Sequence, residues 1–304
     1  MLDVLLQMAF LVVCGVVWRV AKPGGLDVDQ IRQALTGLVY YLLLPALTLN
    51  VLWQTPLSLE APRVALSAAS GVIGGLLLSW AICRKQHMPR TVVGTVMLAA
   101  AFPNATYLGL PVLEAVLGPT GRSVAIQYDL FACTPLLLTV GMSVAQYYGS
   151  QGTAVHPAAA ILKTPPLLAA LFAVVLNLVG VPLPDVIHNW LGLMGGAVSP
   201  LMLIALGLSL RWDTLRVAHA WPIVIVSVIQ LALMPIWVWL AAQLFGLSGN
   251  TLAGVVLEAA MPSMVLGIVI CDRYGLDTSL YAAAVTATTA LSFVTLPFWF
   301  SLLT

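Results

Sequence analysis

Apolar runs of about twenty residues follow one another along the whole chain, separated by short polar or turn-rich breaks. A helix crossing a bilayer needs roughly 20 apolar residues. On that measure the runs place spans near 2–20, 31–53, 64–83, 91–113, 123–147, 159–180, 187–210, 218–245, 250–272 and 278–303. The breaks carry the residues that stop helices: Lys22-Pro-Gly-Gly-Leu-Asp27, Gln54-Thr-Pro56, Arg84-Lys85-Gln86-His87, Gly118-Pro-Thr-Gly121, Pro182-Leu-Pro184 and Asp272-Arg-Tyr-Gly275. The run from Ala218 to Phe245 is long enough to tilt, and Pro235 within it predicts a kink. Leu2–Val20 is apolar from the start and lacks a basic leader region, so it reads as the first span and not as a signal peptide.

Composition sharpens this picture. Charged residues make up 8% of the 304 and hydrophobic residues 61%, against about 25% and 45–50% in soluble domains. The excess apolar surface must face lipid, which excludes a water-soluble fold. The predicted fold is an all-α membrane protein of ten transmembrane helices, with no room for a separate soluble domain. A net charge of +1 argues against a nucleic-acid partner. Cys14, Cys83, Cys133 and Cys271 show no ligand or redox spacing and read as apolar thiols, so no metal or cofactor is expected.

Charge also orients the spans. Of the twelve Lys and Arg residues, only Arg63 and Arg122 fall in the loops of one side; Arg19, Lys22, Arg32, Arg84, Lys85, Arg90, Lys163, Arg211, Arg216 and Arg273 fall on the other. Basic residues stay in the cytoplasm, so the crowded side is inside and both termini lie outside. A missed or invented span would break the alternation.

The two halves echo each other. Leu44-Pro45 in span 2 matches Ser199-Pro200 in span 7, and Ala101-Phe-Pro-Asn-Ala-Thr-Tyr-Leu-Gly109 in span 4 matches Ala260-Met-Pro-Ser-Met-Val-Leu-Gly267 in span 9. Equivalent spans are offset by five, an odd number, so the second half enters the membrane from the opposite face. This predicts two inverted five-helix repeats, 1–147 and 159–304, joined by a short cytoplasmic linker at 148–158. Inverted repeats with proline-interrupted spans at matching positions point to the binding site of a secondary transporter.

Pro103 and Pro262 each lie about twelve residues into a span, roughly 18 Å deep at 1.5 Å per residue. Each removes an N–H and displaces the carbonyl four residues back, at Ala99 and Glu258. Backbone groups freed in lipid must be buried in protein or line a wet cavity. Asn104, Thr106 and Ser263 follow the prolines and supply donors where half-helices begin, positions suited to a carboxylate. The plainer reading is a pair of kinked, packed helices. Intramembrane acids mark function by default. Glu258, one turn before Pro262, is placed to bind a cation or carry a proton; Asp129 reads as a second such acid or as one reaching toward the outer surface. Asn50, Asn177, Gln230, Thr286, Thr288, Thr289 and Ser292 read as packing hydrogen-bonders. His87, His156, His188 and His219 read as solvated, and tryptophans at span ends as interfacial anchors.

In Leu44-Pro45, Phe102-Pro103-Asn104, Leu108-Gly109-Leu110-Pro111, Pro200 with Ala205-Leu206-Gly207, and Pro262 with Gly267, the chain resembles the auxin efflux carrier family, which includes plant auxin carriers and bacterial permeases for malonate and malate. The resemblance implies a scaffold of spans 1, 2, 6 and 7 and a mobile transport part of spans 3, 4, 5, 8, 9 and 10. Spans 4 and 9 would unwind and cross at their prolines. It also implies that Pro103, Asn104 and Pro262 hold an organic anion, and that Glu258 resembles the cation-binding acid of the related bile-acid symporters. Ser263 stands where plant carriers have asparagine, and the long loop of many plant members shrinks to about 149–162.

These observations predict a secondary transporter of small organic anions, mono- or dicarboxylates, in a plasma or bacterial inner membrane, working by alternating access. The substrate site comprises Pro103, Asn104, Thr106, Pro262 and Ser263, with Glu258 and Asp129 for coupling to H+ or Na+. The expected partners are the anion, the bilayer and, at most, a second copy in a homodimer. The rivals are an uncoupled facilitator or channel and, from another class, an intramembrane enzyme. The enzyme is disfavoured, since no nucleophile and base or metal-ligand pair converges at mid-span.

Overall fold

The computed structural model is described for residues 2–54, 60–86, 88–150 and 164–304, with the side chains of 2–5 left aside. His87, His156, Lys163 and most of the linker expected at 148–158 lie outside the described residues. All regular structure among the described residues is helical. We number the helices α1 (Leu2–Ala21), α2 (Val28–Gln54), α3 (Glu60–Lys85), α4 (Arg90–Ala101), α5 (105–117), α6 (119–148), α7 (Pro165–Val179), α8 (Asp185–Thr214), α9 (Val217–Leu244), α10 (Gly249–Ala259), α11 (Gly267–Tyr274) and α12 (Thr278–Leu303). Six helical runs are long and apolar enough to cross a membrane, and several shorter apolar helices accompany them.

Helix ends follow local chemistry. The Asp27 carboxylate caps α2 by accepting from Gln30 N at 2.9 Å, and Asp277 caps α12 through Leu280 N at 2.9 Å. The turn between α5 and α6 pivots on Gly118, whose φ of 61° and ψ of −141° suit a residue without a Cβ, and Pro119 opens α6. α1 packs along the C-terminal half of α8, and α7 along the C-terminal half of α2. α3, α4, α6, α9, α10 and α12 pack mainly on one another.

Proline acts in two ways. Widened π turns at Val39–Leu43, Ala105–Gly109, Asp129–Cys133 and Ile229–Leu233 each end two residues before Pro45, Pro111, Pro135 or Pro235. The missing N–H and the ring clash are absorbed by one wide turn, and the helix continues. The kink expected at Pro235 takes this form. At Pro103 and Pro262 the helix stops outright, leaving α4 apart from α5 and α10 apart from α11.

Candidate functional site

The two interrupted segments meet and satisfy each other. Asn104 N donates to Pro262 O at 2.7 Å and Met264 N donates to Phe102 O at 3.1 Å, closing an antiparallel bridge between Pro103 and Ser263. Ser263 Oγ donates to Ala99 O at 2.6 Å, the carbonyl that Pro103 releases. Ser263 N donates to Thr288 Oγ1 at 3.1 Å. On the other arm, Gln230 Nε2 reaches Ala259 O at 3.2 Å and Met261 O at 2.9 Å. Backbone polar groups buried without partners are costly, and here side chains from α9, α11's leading segment and α12 supply them.

The Glu258 carbonyl, which Pro262 releases, accepts from Met261 N at 3.2 Å as α10 tightens at its end. The Glu258 side chain is another matter. It is fully buried, and neither carboxyl oxygen has a hydrogen-bond partner among the described residues. It lies against Gly109 of α5, where a Cβ would collide with the carboxyl group. The glycine is what lets α10 seat an acid beside the other interrupted segment.

A cavity of about 400 Å³ opens in front of the crossing. Along α2 it is lined by Arg32, Gln33, Thr36, Gly37, Tyr40, Tyr41 and Leu44, all on one helical face. From Arg32 to Leu44 is twelve residues, so the cavity runs roughly 18 Å along α2 from near its N-terminal end. Its floor is Phe102 to Tyr107, and its far walls come from Asp129, Cys133 and Thr134 on α6, Thr164 and Pro166 at the start of α7, Met202 on α8, and Met264, Val265, Leu266 and Val269.

Of the residues expected at the site, Pro103, Asn104, Thr106 and Asp129 line this cavity, whereas Pro262, Ser263 and Glu258 lie behind the floor. Asn104 Oδ1 caps α5 by accepting from Tyr107 N at 3.2 Å, while its Nδ2 is buried without a partner among the described residues. Asp129 does not reach toward the surface. Its carboxylate accepts from the Thr106 hydroxyl, which begins α5, and from Thr134 Oγ1 at 3.0 Å. An acid thus already stands at the α5 N-terminus, where a substrate carboxylate was expected.

Some expectations change in detail. His188 is exposed but not merely solvated: its Nδ1 lies 2.8 Å from both Asn50 Oδ1 and Gln54 Nε2. Asn177 packs as expected, its Nδ2 donating to Leu52 O and Trp53 O. Sequence reading missed Arg32 as a cavity residue, counting it only toward orientation. The signal was the spacing of Arg32, Thr36 and Tyr40, one polar residue per turn along one face of α2.

A family profile described as a membrane transport protein matches residues 2–158 and 155–300. An uncharacterized transporter of Methanothermobacter thermautotrophicus is 29% identical over 301 residues, covering 98% of this chain and 96% of its own. One of Methanocaldococcus jannaschii is 28% identical over 210 residues, covering 68% and 67% of the two chains. The uncharacterized transporter YfdV of Escherichia coli K12 is 27% identical over 248 residues, covering 78% and 77%. The family match extends over nearly the whole length, and the chain belongs to the membrane transport protein family, that of the auxin efflux carriers, as a multi-pass membrane protein.

Proposed function

We propose that the protein is a secondary transporter of small organic anions, mono- or dicarboxylates, working by alternating access around the crossing of α4–α5 with α10–α11. In this reading the chain makes ten spans in two inverted repeats, 1–147 and 159–304, and two of the spans are the interrupted pairs. α1, α2, α7 and α8 form the scaffold and the remaining helices move against it. The observation that carries the proposal is a cavity that runs along α2 and ends on reciprocally paired, broken helices. Broken helices at membrane depth are tolerated where they are buried or line a cavity, and transporters bind ions and substrates at such breaks.

The ten-to-two division of basic residues supports an inside location for the Arg32 end, so this conformation opens inward and both termini lie outside. Asn104 and Thr106 bring the crossing to the substrate, while Pro103, Pro262 and Ser263 hold its backbone in place. Glu258 and Asp129 couple transport to H+ or Na+. A coupling ion must favour one conformation over the other, and Glu258 is set to do so, wedged between α10 and Gly109 of α5. A plasma or bacterial inner membrane is the corresponding location.

The test is uptake of a panel of labelled mono- and dicarboxylates into proteoliposomes under imposed pH or sodium gradients. Saturable accumulation above the external concentration supports a coupled carrier. Downhill flux that ignores every gradient supports a facilitator, and no flux above empty vesicles for any acid rejects the substrate class.

A further inference from the structure

The cavity keeps its two charged lining groups apart. Arg32 stands at the surface end, and Asp129 stands at the floor, hydrogen-bonded to Thr106 and Thr134. They are the lone cation and the lone acid among the described lining residues. Tyr40 and Tyr107 line the same cavity. The remaining wall is largely apolar, with Phe102, Met202 and Met264 prominent.

Arg32 is available to a ligand. Its one ion pair is a long contact of Nε with Asp29 Oδ1 at 3.5 Å, and its terminal nitrogens have no hydrogen-bond partner among the described residues, although its side chain is only 14% exposed. Asp29 is also held by Arg211 at 3.2 Å and Arg19 at 3.9 Å. If Arg32 turned to an incoming anion, Asp29 would not be left an unpaired charge. The floor is the reverse case: a carboxylate placed there would face Asp129, and like charges brought together disfavour one another.

We propose that the substrate is an amphiphilic monocarboxylate bound with its carboxylate on Arg32, its apolar body along Tyr40, Met202 and Met264, and its far end against Asp129. That end accommodates a neutral hydrogen-bond donor and excludes a second carboxylate. This rests on the organic-anion reading above, narrows it, and moves the anion from the crossing to the end of α2.

The test compares three matched acids binding to the full-length protein in nanodiscs: 3-phenylpropionate, its 4-hydroxy derivative and its 4-carboxy derivative. The parent should bind the first two at least tenfold more tightly than the third. Asp129→Asn should bring that preference below threefold by improving the dicarboxylate. Arg32→Gln should weaken the first two at least tenfold, and Arg32→Lys should restore part of the loss. The preference is a ratio within one preparation, so a partly folded variant still reports it. A parent that prefers the dicarboxylate, a preference unmoved by Asp129→Asn, or 3-phenylpropionate binding unmoved by Arg32→Gln overturns the proposal while leaving an organic-anion carrier standing. A parent that binds none of the three acids, and transports none of the wider panel, overturns both.

Discussion

Gln230 offers the sharpest test of how the broken helices are held. It sits on a π turn of α9, fully buried, and its amide nitrogen serves the carbonyls of Ala259 and Met261 at 3.2 and 2.9 Å. Gln230→Leu keeps much of the volume and deletes both hydrogen bonds. A buried acceptor left without a donor costs about 1–3 kcal/mol, so two cost roughly 2–6 kcal/mol. Two gains offset part of this. The leucine adds apolar contact, and the substitution removes Gln230 Oε1, which has no partner among the described residues. The net destabilisation should be about 2–4 kcal/mol. At about 2 °C per kcal/mol, the apparent midpoint should fall by roughly 4 °C or more. The control is Gln243→Leu, an exposed position on the same helix, expected within about 0.5 kcal/mol of the parent. Purified proteins in one detergent would be heated, and the surviving folded fraction read by size exclusion and tryptophan fluorescence. If the two variants melt together, the crossing does not depend on Gln230 and the accounting of its carbonyls is wrong.

Other predictions concern the crossing and its acids. Asn104→Ala removes the α5 cap and the buried amide at the cavity floor, where the far end of the substrate rests, and should weaken substrate binding by about 1–3 kcal/mol in protein that still elutes as a folded species; unchanged titrations would take Asn104 out of the site. Gly109→Ala drives a methyl into the Glu258 carboxyl, and should destabilise by about 1–3 kcal/mol and depress uptake, whereas parent-like melting and uptake would show that the contact is not tight. Glu258→Gln should abolish gradient-driven accumulation while sparing some downhill exchange, and accumulation with the parent's ion dependence would shift the coupling role to Asp129. A single cysteine introduced near Lys163 should resist an impermeant reagent added outside; its labelling there would break the inverted-repeat topology.

How much of this was legible in the chain depended on the range of the interactions involved. The long helices were readable because each is a local run: α3 was expected at 64–83 and extends over Glu60–Lys85, and α12 was expected at 278–303 and begins at Thr278. The breaks at Pro103 and Pro262 were readable because proline chemistry is local too. What the breaks do was less so. Ser263 looked like a ligand donor, yet its hydroxyl serves Ala99, 164 residues away, a partner that exists only once the segments cross. Gln230 looked like ordinary packing for the same reason. Arg32 was hidden by convention, since an arginine at a span end reads as topology until the opposing wall is known. Asp129 was recognised as an intramembrane acid, but its direction was set by the Asp129–Cys133 π turn and by two threonine partners, which no run of hydropathy reveals.

The central claim is that the cavity beside α2 is where substrate crosses. Thr36 lines it one turn below Arg32, so Thr36→Cys in a background without native cysteines places a probe on the path. Labelling by a membrane-impermeant thiol reagent would be followed from each side of sealed vesicles, with and without the best-transported acid. The account predicts labelling from the inside, slowed severalfold by that acid at saturating concentration. Labelling only from the outside, or at a rate indifferent to the acid in protein that transports it, would contradict the account.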